Sequence, residues 1–503
     1  MFEAFAQGLF HYADPVALGF LVLGTCIGIF IGILPAIGGL TAMALLLPLT
    51  FGLDKVSGLS LLMAITAISS TGGSITSILM NIPGEATSIA TMIDGFPMTQ
   101  KGEAGRALGA MLMAASMGAV LGVLLGFVMI PIVRPIVLAM GKPELFLVIV
   151  LGLSFLAVLS RESPIKGLIS GFVGIFVSLI GFQESTGVER LTFGSSVLFG
   201  KLDLIPVTMG LFAGAELIEL GTRGESIVPV ERARAGKELR LQIHQGMKDV
   251  FSHLGLWFRS CVLGYIIGVI PGIGGGAATF VAYGMAKHTS EQPEEYGKGC
   301  VEGVIAPESA SNAKEGGALL TTVALGLPGS TSMAFIIGAL LMHGIIPGPE
   351  MLKNELGLSF TLFWGLALAN IIGGIFCYVI AGYCNLSRVV ALPPRYLVPT
   401  ILSLVFLGSF ITNSHMGDII VTLVFTALGL LMKRFGYNRA SFLLGFILGI
   451  YFEEFFWISL QSRGPFFFLR PGCLVIIAVM VILYSLDPVK SFLARRRQKA
   501  VSV

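Results

Sequence analysis

The chain has 503 residues, 55% of them apolar and only 12% charged, and its mean hydropathy is +0.88 over the whole length. With about half the charged share of a soluble protein, it is not a soluble enzyme carrying one anchor, and its long continuous apolar runs are not the short alternating strands of an outer-membrane barrel. A balance of 32 basic and 29 acidic residues, net +3, gives no case for a nucleic-acid partner; the surroundings it implies are a lipid bilayer.

In chain order, the N-terminus MFEAFAQGLFHYADP holds no Lys or Arg, so it lacks the positive region of a cleaved signal and the first span should be retained. Apolar runs near twenty residues then predict helices at 16–34, 107–132, 143–160, 164–182, 202–220, 358–384, 394–412, 416–432, 440–460 and 470–487. Two further regions, 35–98 and 256–346, are apolar but are cut by Pro-Gly and Gly-Gly steps into pieces read as too short to span alone. The expected fold is an all-α polytopic membrane protein with about 11–14 membrane segments, some of them broken or re-entrant. The six Cys show no CxxC spacing and read as small packing residues, with no metal or disulfide framework.

Basic loops set the orientation. The stretch Arg223–Lys248, the Lys433/Arg434/Arg439 loop and the tail with Arg495, Arg496 and Arg497 are placed in the cytoplasm. Counting back puts Arg161/Lys166 and Lys101/Arg106 inside as well, and leaves the N-terminus, with Glu3 and Asp14, outside. Arg134/Lys142 and Arg463/Arg470 fall on the outer side, against the rule.

The two broken regions resemble each other. GIFIGILPAIGG (28–39) aligns with GYIIGVIPGIGG (264–275), and TSILMNIPGEATS (76–88) aligns with TTVALGLPGSTSM (321–333). The first copy starts outside and the second inside, so the repeats should be inverted, as in secondary transporters; parallel repeats, or a channel with one pore loop per half, remain open. The expected organisation is an N-terminal repeat at 1–222, a cytoplasmic linker loop at 223–252, a C-terminal inverted repeat at 253–461, and an extra final helix with a basic tail at 462–503.

Breaks of this kind bring backbone to a ligand. Pro35, Gly38 and Gly39, with Pro271, Gly272, Gly274 and Gly275, end one helix and start another whose free N–H groups suit an anion. Asn81, Pro83, Gly84 and Thr87, with Pro328, Gly329, Ser330, Thr331 and Ser332, add hydroxyls and freed carbonyls for a carboxylate solute. Candidates for a coupling cation are Ser70, Thr71, Glu85, Glu308, Ser309, Asn312, Thr321 and Gly326, because ionisable groups at membrane depth are functional suspects. The bland alternative is that Ser, Thr and Gly let helices pack closely, and that Glu85, Glu308 and Glu315 sit at a cavity mouth or in loops. Asp94 reads as a loop residue, as does His343. No Arg lies in either motif, so a multivalent anion would be held by backbone N–H groups, hydroxyls and bound cations. An intramembrane enzyme would need a nucleophile–base or metal set, and HExxH, GxSxG in a strand–turn–helix and paired helical His are all absent from the sequence.

GILPAIGG, NIPGEATS, GVIPGIGGG, PESASNAKEGGALLTTVALGLPGSTS and HGIIPGP together resemble the large membrane subunit of bacterial tripartite tricarboxylate transporters, the TctA family. The resemblance implies an inner-membrane carrier for carboxylates, citrate among them, driven by Na⁺ or H⁺ and needing no other cofactor. It implies two partners, a small TctB-like membrane subunit and a TctC-like periplasmic solute-binding protein. Ala36 stands where the second motif has Gly272, a departure that would make the two loops unequal in flexibility.

Overall fold

The computed structural model describes residues 1–33, 38–154, 164–183, 188–223, 237–271, 275–383, 394–413, 415–478 and 480–481. Apart from a two-residue antiparallel ladder pairing Gly181–Phe182 with Glu189–Arg190, the regular structure there is helical. The helices used below are α1 (Phe2–Phe10), α2 (Pro15–Ile33), α3 (Gly38–Thr50), α4 (Lys55–Met80), α5 (Ile89–Gln100), α6 (Ala104–Leu138), α7 (Lys142–Ser154) and α8 (Pro164–Ser178). Next is α9, built from Leu204–Thr208, a π-helical turn Met209–Gly214 and Ala215–Arg223. The second half holds α10 (Lys237–Ser252), α11 (Leu254–Val269), α12 (Gly275–Thr289), α13 (Glu302–Leu325), α14 (Thr331–Met342), α15 (Leu356–Tyr383), α16 (Pro394–Asn413), α17 (Met416–Arg434) and α18 (Arg439–Arg463). Six described helices are long and apolar enough to cross a membrane, and a seventh span results if α10 and α11, bent by 78°, are taken together. The chain is an all-α polytopic membrane protein.

The broken regions depart from expectation. Each contains one continuous helix, α4 of 26 residues and α13 of 24, buried almost end to end. The Gly pairs inside them do not break the helix, because they are points of backbone contact: a Cβ at Gly72 would lie 3.0 Å from the Gly32 Cα, and one at Gly316 would collide with the backbone of Gly122 on α6. The hydroxyls close on their own helix, Thr66 donating to the Leu62 carbonyl at 3.0 Å and Thr322 to the Ala318 carbonyl at 2.7 Å. Each of these two helices breaks at its C-terminus. Asn81 (φ +58°) ends α4 and Gly326 (φ +70°) ends α13, equivalent left-handed caps, each followed two residues later by a Pro that cannot continue the helix.

The two halves interlock. α2 lies along α4 through Gly24, Gly28 and Gly32, as α11 lies along α13 through Gly264 and Gly268. α6 then packs on α13 at Gly118 and Gly122, and α15 packs on α4 at Gly373, so each half covers the other's buried helix. Part of the expected linker loop is helix: α10 lies against α6, where Cβ atoms at Gly109 and Gly246 would strike the Ile243 and Arg106 carbonyls. Arg106 also pairs with Asp249 at 2.6 Å and Glu103 at 3.1 Å. At the far end of α6 lie Arg134, bonded to the Leu352 carbonyl at 3.0 Å, and the pairs Lys142–Glu454 (3.4 Å) and Arg470–Glu144 (3.2 Å). Arg106 and Arg134, which the sequence assigns to opposite sides, thus lie toward opposite ends of α6. The tail from 482 onward, Arg161 and residues 224–236 lie outside the described residues.

Candidate functional site

Both breaks open on one cavity of about 330 Å³. Its wall takes Gly38–Thr41 from the start of α3, Pro83–Thr87 from the turn before α5, Gly275 and Gly276 from the start of α12, and Ser330–Ser332 from the start of α14. Three helices, α3, α12 and α14, therefore begin on this wall, and their first-turn N–H groups lack intrahelical acceptors; Ser330 Oγ takes that of Met333. Gly38 has a φ of +58°, a conformation that an L side chain resists, while its Cβ position is open space, so the restraint there is conformational. Gly39 and Gly275 are steric: a Cβ at Gly39 would lie 2.6 Å from the Ser69 Cβ and 2.9 Å from Glu85 Oε1, and one at Gly275 would run into the Thr87 methyl and come within 3.1 Å of Lys314 Nζ.

The wall is charged as well as polar. Lys314 and Glu315 reach it from α13, with Nζ 2.5 Å from Oε1 and both side chains nearly buried. Glu85 Oε1 accepts the Gly39 N–H at 3.0 Å. Arg439, at the start of α18, is held by Glu216 of α9 at 3.1 Å and donates to the Leu211 carbonyl at 3.2 Å; its guanidinium lies 5.2 Å from the centre of the Phe212 ring. Two fixed cations thus share the wall with three carboxylates, Glu85, Glu216 and Glu315. Hydroxyls of Thr41, Thr66, Ser69, Ser70, Thr87 and Ser330–Ser332 fill the remainder. Two buried wall atoms, Thr87 Oγ1 and Glu315 Oε2, have no hydrogen-bond partner among the described residues.

Of the residues singled out from sequence, the cavity brings together Gly38, Gly39, Ser70, Pro83, Gly84, Glu85, Thr87, Gly275, Ser330, Thr331 and Ser332. Pro35, Gly272 and Gly274 lie outside the described residues. Others serve the frame behind the wall. Asn81 and Gly326 are helix caps; Gly329 is pressed on Ala318 as Gly84 is on Gly73; Pro328 is buried beside it, and Pro271 ends the turn after α11. Thr321 Oγ1 donates to the Val269 carbonyl at 2.7 Å, tying α13 to the end of α11. Ser309 bonds the Ile305 carbonyl at 2.6 Å, Asn312 bonds the Glu308 carbonyl at 3.1 Å, and Thr71 is buried in α4. Asp94 is not a loop residue. It sits fully buried on α5, where Oδ1 accepts the N–H groups of Gly297, Gly299 and Cys300 at 2.8–2.9 Å and Oδ2 accepts the Tyr283 hydroxyl at 2.8 Å, clasping the α12–α13 loop.

Sequence reasoning missed both cations. Lys314 stands inside the block PESASNAKEGGALLTTVALGLPGSTS, where an ionisable residue in a membrane helix is itself the signal. Arg439 was assigned to a basic cytoplasmic loop, and nothing local marks it as reaching a cavity built mostly by residues far away in the chain.

Residues 18–444 match the Tripartite tricarboxylate transporter TctA family. The chain is 34% identical over 447 residues to an uncharacterized 52.8 kDa protein in the TAR-I ttuC' 3' region of Agrobacterium vitis, covering 88% of this chain and 86% of that one. It is also 34% identical over 197 residues to an uncharacterized protein in the TAR-II ttuC' 3' region of the same organism, 38% of this chain and 78% of that one. No solved structure matches the chain.

Proposed function

The chain belongs to the TctA family of tripartite tricarboxylate transporters, and from that premise we propose that it is the solute-translocating subunit of a cation-coupled carboxylate uptake system of the bacterial inner membrane. A binding protein outside delivers the carboxylate, a small membrane subunit completes the complex, and the solute crosses through the cavity between the two breaks. The halves 1–222 and 253–461 act as inverted repeats whose relative tilt exposes the cavity to either side in turn, with the N-terminus outside and the C-terminus in the cytoplasm.

The observation that carries this reading is the wall itself: Lys314, Arg439 and the N-termini of α3, α12 and α14 around one 330 Å³ space. The cations and N–H groups suit carboxylate oxygens. Three carboxylates on the same wall repel them, so a di- or tricarboxylate enters favourably only with cations or protons that offset the excess negative charge. Symport follows from that balance, with Na⁺ or H⁺ as the driving ion and no other cofactor. The test is uptake of labelled citrate by liposomes holding the chain with its small membrane subunit and supplied with the binding protein. Saturable accumulation that collapses when an ionophore dissipates the driving gradient supports the carrier; flux proportional to citrate and indifferent to ionophores would make it a passive channel.

A further inference from the structure

Deeper than the cavity wall, α13 carries one more carboxylate. Glu308 is 2% exposed, and its Oε1 accepts 2.6 Å hydrogen bonds from the hydroxyls of Ser74 on α4 and Thr91 on α5. Ser70 and Glu315 both face the cavity while Ser74 meets Glu308, so α4 and α13 run antiparallel here; along the chain Thr71 lies between Ser70 and Ser74, and Asn312 between Glu308 and Glu315. Both are buried, and neither Thr71 Oγ1 nor Asn312 Oδ1 has a hydrogen-bond partner among the described residues; on the wall, Glu315 Oε2 has none either. From Glu315 to Glu308 is about two helical turns, roughly 10 Å. Three unsatisfied buried oxygens on the stretches of α4 and α13 that lead from the cavity to this carboxylate are costly unless something uses them.

We infer that Glu308 is the proton-binding group that couples solute movement to a pH gradient, reached from the cavity past Glu315, Asn312 and Thr71. This rests on the transport reading above and names the driving ion and its site. The hydroxyl of Ser74 fits Glu308 in either protonation state. Its single hydrogen has two acceptors, Glu308 Oε1 at 2.6 Å and its own helix's Ser70 carbonyl at 3.2 Å. With Glu308 ionised, Ser74 donates to it; with Glu308 protonated, the carboxyl donates to Ser74 Oγ and the Ser74 hydrogen turns to Ser70. Both states are hydrogen-bonded without movement of a heavy atom. The proton comes from water in the cavity and is returned to water on release, with nothing oxidised or reduced.

Other titratable groups near Glu308 are otherwise engaged. On its own helix Lys314 pairs with Glu315, and Glu302 lies 3.3 Å from His253 and accepts the Tyr296 hydroxyl at 2.6 Å. On α5 Asp94 is saturated by the loop and by Tyr283 of α12. From α11 come Cys261 and Tyr265, both neutral; α4 contributes hydroxyls, and α6 meets this stretch through Gly118 and Gly122.

The test places the chain, with its small membrane subunit and binding protein, in liposomes loaded with citrate. The wild type should accumulate citrate under an imposed pH gradient, whereas Glu308→Gln should lose at least tenfold of that accumulation while citrate-for-citrate exchange stays within a few-fold. In parallel, an infrared pH titration of the purified full-length chain should show a protonated-carboxyl band that disappears in Glu308→Gln and shifts in Ser74→Ala. Equal pH-driven accumulation in Glu308→Gln, accumulation that follows a sodium gradient and ignores pH, or identical infrared titrations would overturn the inference. If the wild type exchanges no citrate, the transport reading fails, and the infrared titration still decides whether Glu308 binds the proton.

Discussion

The two breaks share a backbone and differ in charge. In the alignment that pairs Thr76 with Thr321, Asn81 falls on Gly326, Gly84 on Gly329 and Gly73 on Ala318, and in both halves the same cap and the same close approach hold the turn against its helix. Yet Ser69 and Ser70 fall on Lys314 and Glu315, and Glu85 falls on Ser330. The first half thus brings a carboxylate on its turn and hydroxyls on its helix; the second brings a hydroxyl on its turn and an ion pair on its helix. On the proposed carrier reading, the backbone geometry is what a site facing both sides of a membrane would need in duplicate, and the charges would belong to the solute. Gly39 and Gly275 each lie over the position that differs, Ser69 in one half and Lys314 in the other.

Breaking the shared geometry should do the most damage, and equally in both halves. Gly39→Val and Gly275→Val each place a branched side chain into occupied space, and citrate uptake in the liposome assay should collapse for both while the protein still inserts and purifies. Normal uptake by either would show that its Gly serves packing alone. Changing the charge should separate the halves. Lys314→Ser gives the second half the residue of the first and removes a charged hydrogen-bond donor worth about 1.5–3 kcal/mol, roughly 10- to 150-fold in apparent affinity. Ser69→Ala, the equivalent change in the first half, removes a neutral hydroxyl worth about 0.5–1.5 kcal/mol and should weaken uptake several-fold at most. Equal losses would refute the asymmetry. Thr87→Val and Ser330→Ala should fall in that lower range too, read as an increase in the half-saturating citrate concentration. The smallest effect belongs to the caps: Asn81→Gly copies the second half's left-handed residue into the first and should leave transport unchanged, with melting temperature moved by a degree or two, while Gly326→Ala should destabilise by about 1 kcal/mol.

Most of the helical frame was legible because twenty apolar residues in a row have few other uses. The expected helix at 416–432 is Met416–Arg434 and the one at 440–460 is Arg439–Arg463. What misled was reading every Gly-Gly step as a break. In α4 and α13 those steps are where other helices touch, and only tertiary packing separates a Gly that bends from a Gly that is approached. The cavity's Gly and hydroxyl residues were legible as paired motifs, since the repeat marks them twice. Lys314 and Arg439 were not, because they break the repeat: one has Ser69 as its counterpart and the other enters from α18. Glu308 was legible as a suspect by its charge, but its partners Ser74 and Thr91 come from the opposite half.

In the proposed carrier, the cavity between the two breaks holds the carboxylate on Lys314. The most direct test of that placement is citrate binding to the purified full-length chain by isothermal titration, comparing wild type with Lys314→Met and with Lys142→Met, which removes a cation from an exposed pair far from the cavity. Kd should be at least tenfold weaker for Lys314→Met and unchanged for Lys142→Met. An unchanged Kd for Lys314→Met would contradict that placement.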